Sequence, residues 1–122
     1  MDLKTLRNYC ANKPGTVEEY PFGEETLVFK VVGKMFALLA LDHRDEPPVI
    51  SLKCDPALAE ILRNIYDAVQ PGYHLNKKHW NTVTVDGSIP DDEVYDMVDQ
   101  SYKLVTRGLK KEEREQLKNA KS

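Results

Sequence analysis

No apolar run in this chain reaches the ~18 residues that would suggest a membrane span. The first residues, Met1-Asp2-Leu3-Lys4, lack the apolar core of a secretory signal. Cysteine is scarce: Cys10 and Cys54 stand far apart with no CxxC spacing, which excludes the usual structural zinc and dithiol redox patterns. The expected state is two buried thiols in a reducing cytoplasm. There is no P-loop, GxGxxG, GxSxG or HExxH, so nucleotide-dependent, serine-hydrolase and zincin chemistries have no foothold. Cation excess is missing too. The formal net charge is −3, so the chain is no globally basic nucleic-acid binder, and any anion site must be local.

What is present is a chain of 122 residues, suited to one compact domain. Hydrophobic residues make up 41% and charged residues 30%, enough for one core under a charged surface and unlike a disordered chain. Charge is uneven, at −2 over 1–52, −5 over 53–102 and +4 over 103–122. The expected organisation is one domain over 1–108 and a charged, partly helical tail over 109–122. Lys77-Lys78 is the sole Lys/Arg cluster in the acidic middle.

Asp2 can cap a first helix with Leu3, Leu6, Tyr9 and Cys10 on its apolar face. Pro14-Gly15 closes that segment, and a short strand over 16–22 follows. The clearest hairpin joins 26–32 to 35–41 through Gly33-Lys34, read as a type II′ turn with Gly at its first central position. Leu27, Phe29 and Val31 share one face and Val28, Lys30 and Val32 the other. The segment 35–41 is apolar on both faces and reads as a central strand. A charged loop leads to a strand over 49–53. Asp55-Pro56 then starts a helix whose buried stripe should be Leu58, Ile61, Leu62 and Ile65. Alternation marks a strand over 80–85. Pro90 opens a long helix with Asp91, Asp92 and Glu93 at its positive end and Val94, Met97, Val98, Ser101, Leu104 and Val105 facing the sheet; Gly108 interrupts it. The fold class is α+β, an antiparallel sheet with helices packed on one face. Leu27, Phe29, Phe36, Leu38, Leu62, Met97 and Val98 should share the core.

The stretch richest in groups that both stack and hydrogen-bond is Tyr73-His74-Leu75-Asn76-Lys77-Lys78-His79-Trp80-Asn81-Thr82. Lys77 and Lys78 can neutralise phosphates; His74, Asn76, His79 and Asn81 can hydrogen-bond; Tyr73 and Trp80 can stack on an exposed base. Lys34 and Lys53 add charge if their strands lie nearby. A blander reading stands beside this one. A Trp at a strand start is often a core residue, and paired Lys beside it often a solvated edge. His74 and His79 are five residues apart, a spacing that shares the face of neither a helix nor a regular strand, so no metal is expected. Cys54 beside Asp55 at a helix start could be imagined as a nucleophile. A packed, inert thiol fits that position better, and no catalytic residue or cofactor is expected.

The chain resembles the MmcQ/YjbR family of small bacterial proteins. The resemblance rests on Tyr20-Pro21-Phe22-Gly23, Val28-Phe29-Lys30-Val31, Lys34-Met35-Phe36-Ala37, Ser51-Leu52-Lys53-Cys54, Asp99-Gln100-Ser101-Tyr102 and above all Pro71-Gly72-Tyr73-His74-Leu75-Asn76-Lys77-Lys78-His79-Trp80. It covers nearly the whole chain up to Gly108. It implies a fold similar to bacterial frataxins and to a double-wing DNA-binding domain, and hence DNA as the expected partner. The frataxin likeness also raises iron. Here the first helix mixes Asp2 with Lys4 and Arg7, and only Glu18, Glu19, Glu24 and Glu25 could substitute for an acidic ridge. The resulting expectation is a non-enzymatic, cytoplasmic, monomeric DNA-binding domain acting through Lys34, Lys53 and residues 73–81. The alternative is a protein- or small-ligand-interaction module with no nucleic-acid role.

Overall fold

A computed structural model describes residues 1–42, 47–72 and 75–121, with side chains through Asn119. The elements run α1 (Leu3–Ala11), β1 (Thr16–Glu19), β2 (Thr26–Val31), β3 (Lys34–Ala40), β4 (Val49–Lys53), α2 (Pro56–Ile65), β5 (Val69–Pro71), β6 (Trp80–Thr84), α3 (Asp91–Arg107) and α4 (Lys111–Lys121). All six strands join one antiparallel sheet in the order β1-β2-β3-β4-β6-β5. The α+β expectation holds, and β3 is central as its two-sided apolar character required.

Register sorts the side chains. Leu27, Leu39, Ile50, Val83 and Val69 lie in one row across five strands and are buried. Leu6 and Cys10 of α1, Val94, Val98 and Val105 of α3, and Leu117 of α4 join them in one core. Leu109, just past the end of α3, belongs to that core as well. The sheet is extended by a bulge in β3: Phe29 pairs with Ala37 and Lys30 with Met35, leaving Phe36 as the extra residue. The bulge turns Phe36 inward, where its ring meets Tyr102 edge-on at 5.3 Å. It also leaves main-chain groups in need of partners. Buried Ser101 supplies them, donating its hydroxyl to the Phe36 carbonyl and accepting from the Lys53 amide at 2.9 Å.

Helix starts follow the sequence signals. Asp2 accepts from the Thr5 amide at 2.8 Å, and Asp55 accepts from Ala57 and Leu58 with Pro56 in the first turn. Gly108 closes α3.

Four expectations need correction. The β2–β3 turn is centred on Val32-Gly33, one residue earlier than read, with φ of 48° and 76°. Two successive positive φ values belong to a type I′ turn, whose twist suits a hairpin better than the single positive φ of type II′. Strand β5 was missed: three residues ending in proline leave too short a pattern to read. Leu38 pairs with Val28 and Ser51, on the face opposite Leu27 and Leu39, so it leaves the shared core. The α2 stripe is only partly covered: Leu62 is half-buried and packs against the core, and the other three positions are open. Leu58, Ile61 and Ile65 are 38%, 52% and 63% exposed, and Ala59 is the buried residue of that helix.

Candidate nucleic-acid interface

Antiparallel pairing brings three separate parts of the chain to one end of the sheet. The β2–β3 turn delivers Lys34 at the start of β3. Strand β4 ends at Lys53, which pairs with Trp80 at the start of β6. The turn over 76–79 enters β6 there and presents Lys77 and Lys78, both exposed, with His79 half-buried. Strands β3, β4 and β6 are immediate neighbours, so the lysines span about 10 Å laterally at ~4.8 Å per strand. Among the described residues no carboxylate lies within ion-pair range of Lys34, Lys53, Lys77 or Lys78. Asp55, two residues after Lys53, accepts from the Ala57 and Leu58 amides as the α2 cap.

The turn is built by Asn76. Its side-chain oxygen accepts from the Lys78 amide at 2.9 Å, and its carbonyl accepts from the amides of His79 and Trp80. This Asx arrangement folds the chain back without help from the sheet. The Lys77 ammonium bonds the Gly72 carbonyl at 3.3 Å, which holds that charge close to the turn. Cys54 donates its amide to His79 at 2.8 Å and so joins the turn to the start of α2.

Two expected contact residues are withdrawn from solvent. Trp80 is 8% exposed, and its backbone carbonyl takes the Gly72 amide at 2.8 Å. A Cβ at position 72 would lie 2.7 Å from the Trp80 Cβ, so only glycine fits opposite the indole. Asn81 is 2% exposed. Its carbonyl oxygen accepts from Arg63 Nε at 2.7 Å, and its amide faces the Ala59 carbonyl. Neither the Trp80 indole nor the Asn81 side chain is presented to solvent in this conformation. Tyr73 and His74 lie outside the described residues.

Arg63 is the residue that the sequence reading missed. From the last turn of α2 it donates to Asn81, to the Trp80 carbonyl at 3.1 Å and to the Lys77 carbonyl. One guanidinium thus fixes the turn, the strand start and the helix to one another. A signal existed: Arg63 is the lone arginine in the acidic middle and sits where a cation favours a helix C-terminus.

Other chemistries lack the geometry. Burial pushes the Cys10 thiol up to about 12. Burial, then the neighbouring Asp55 charge, raises Cys54 too, the reverse of what a thiolate nucleophile needs. Among the described residues no group of three or more His, Cys, Asp or Glu could hold a metal ion. Glu18 pairs with Arg7 at 2.8 Å and Glu19 with Lys30 at 2.7 Å, so two of the four acids that might imitate an iron ridge are already neutralised. No helix among the described residues is long and apolar enough to cross a membrane.

The YjbR family model matches residues 11–104. This chain belongs to the YjbR family. It is 38% identical over 117 residues to the uncharacterized protein YjbR of Escherichia coli K12, covering 96% of this chain and 98% of that one. Uncharacterized YyaQ of Bacillus subtilis is 36% identical over 66 residues, 54% of this chain and 55% of its own. A Deinococcus radiodurans crystal structure superposes with a TM-score of 0.87 at 43% identity, covering 96% of this chain and 88% of that one. A crystal structure from Pseudomonas syringae gives 0.73 at 28% identity, covering 85% and 98%. No enzymatic activity is part of any of these names.

Proposed function

We propose that this YjbR-family chain is a non-enzymatic nucleic-acid-binding domain that meets DNA phosphates with the lysine-bearing end of its sheet. The observation that carries the reading is the convergence of Lys34, Lys53, Lys77 and Lys78 in a chain whose net charge is −3. Lysines scattered over an acidic surface would be repelled with the rest of the molecule, whereas a local cluster without paired carboxylates gives a phosphate-sized positive field. With Trp80 and Asn81 buried, little remains at this end to read base edges. The binding is then mainly electrostatic and weakly sequence-dependent, with a dissociation constant on the order of 10⁻⁴–10⁻⁶ M.

The test is fluorescence anisotropy on a labelled duplex at several salt concentrations. Four neutralised phosphates give a slope of about −3 to −4 in log affinity against log salt. Replacing Lys77 and Lys78 by Ala removes nearly two units of that slope and leaves folding intact. Absence of binding at low salt, or equal slopes for both proteins, defeats the proposal. A second reading, an interaction module without nucleic acid, is favoured by a different observation: the uncovered apolar stripe of α2.

A further inference from the structure

The stripe borders a groove. Helix α3 lies across β3 and β4, while α2 sits over β5. Between them is an open cavity of about 420 Å³. Its floor is Leu52, Val83 and the Asn81 amide; Leu58, Ile61, Leu62 and Ile65 form one wall. The other wall is Glu93, Asp96, Met97 and Gln100 of α3, spaced to share one helix face. The Tyr66 hydroxyl donates to the Glu93 carboxylate and closes one end. Lys53 and Cys54 stand at the other, where α2 begins.

Three facts narrow the occupant. The volume lies within the range of about 300–1,000 Å³ usual for small-ligand sites, and the lining is mostly apolar with a few convergent polar groups. Position is also informative. Helix α3 lies on β3 and β4, and α2 is tied to β5 and, through Arg63 and Ala59, to β6, so the groove opens between the two helices over Leu52 and Val83. An open groove of that volume suits a slender apolar body. Its length along Leu58 to Ile65 is about 10 Å at 1.5 Å per residue. Charge decides the head group. Two exposed carboxylates, Glu93 and Asp96, face the groove from α3, against one lysine at the far end. A second copy of the chain would bring the same acids against these and is disfavoured.

We infer that this groove binds a slender apolar amine, its chain laid along Leu58, Ile61 and Ile65 and its protonated nitrogen beside Glu93 and Asp96. This rests on the groove alone and does not depend on the nucleic-acid reading.

The experiment titrates the full chain with octylamine, octanol and octanoate at neutral pH and follows backbone amide shifts by NMR. Octylamine is expected to bind most tightly and octanoate least. The shifts should be confined to residues 52–66, 81–83 and 93–100. Glu93→Gln with Asp96→Asn should weaken octylamine about fivefold and leave octanol unchanged, as expected for exposed ion contacts. Ile61→Asn should weaken both amine and alcohol about tenfold through lost apolar contact. Ile61 is half-exposed, so the variant should fold, and Ile65→Asn provides the same test at the neighbouring position. Binding of octanoate as tight as that of octylamine overturns the inference. So do shifts elsewhere, unchanged affinity in the isoleucine variants, or no binding by any of the three probes.

Discussion

Helices α2 and α3 carry apolar stripes of equal regularity, yet they are anchored by different means. Helix α3 buries Val94, Val98 and Val105 completely or nearly so against β3 and β4. Helix α2 leaves Leu58, Ile61 and Ile65 in water and buries Ala59. Apart from Leu62, which packs half-buried against the core, what ties it down is polar: Arg63 reaches the Lys77, Trp80 and Asn81 positions, and the Asn81 amide reaches back to Ala59. A periodic stripe therefore identifies which side of a helix is apolar, and not whether protein covers it. Where the cover is absent the stripe is available for another molecule.

That contrast can be broken by mutation. Val98→Ala should cost the most, about 2–3 kcal/mol in urea unfolding, because it empties a fully packed site. Arg63→Ala should follow at about 2 kcal/mol, since it leaves the buried Asn81 side-chain oxygen without a donor and strips the Trp80 carbonyl of one of its two. It should also loosen the lysine turn, visible as faster amide exchange at Lys78 and His79. Ile65→Ala should change stability by less than ~0.5 kcal/mol, because that side chain is mostly in water already. A large loss there would mean that α2 is held by its stripe after all.

Acid sharpens the same comparison. Helix α3 has a second anchor, where Asp99 accepts from Tyr9 at 2.7 Å and pairs with Lys13. Burial works to raise the Asp99 carboxyl, but its bonds to Lys13 and Tyr9 outweigh that and hold it below its ordinary value. A depressed carboxyl contributes stability that is complete above its unfolded pKa, about 3.9, and is lost as pH falls through the folded value. Asp99→Asn should remove this share of the acid sensitivity. Melting temperatures of the two proteins should differ at neutral pH and converge in strong acid, a smaller effect than any core truncation.

Much of the scaffold was readable because local and global signals agree. Asp2 and Asp55 with Pro56 cap helices, and the two-sided apolar run predicted a central β3. Disagreement came where tertiary context decides. The turn moved to Val32-Gly33 because hairpin twist favours two positive φ values, even with a β-branched residue at the first. Leu38 and Ile61 are as apolar as any core residue, and no periodicity says which face stays open. At the candidate site, Lys77-Lys78 stood out in the sequence, whereas Lys34 and Lys53 were named only on the condition that their strands lie nearby, which the strand register meets. Trp80 and Asn81 looked like ligand contacts because aromatic and amide side chains serve burial and binding equally well. Their fate was set by Gly72 and Arg63, whose relation to them is spatial.

The outermost strands are also the two shortest, at four and three residues. One carries Glu18 and Glu19, and the other ends in Pro71, which has no amide to offer. Neither border can template a long strand from another chain. Recognition by strand addition is thereby disfavoured at both borders of the sheet. Concentrated solutions of the folded protein should resist growth into sheet-like aggregates.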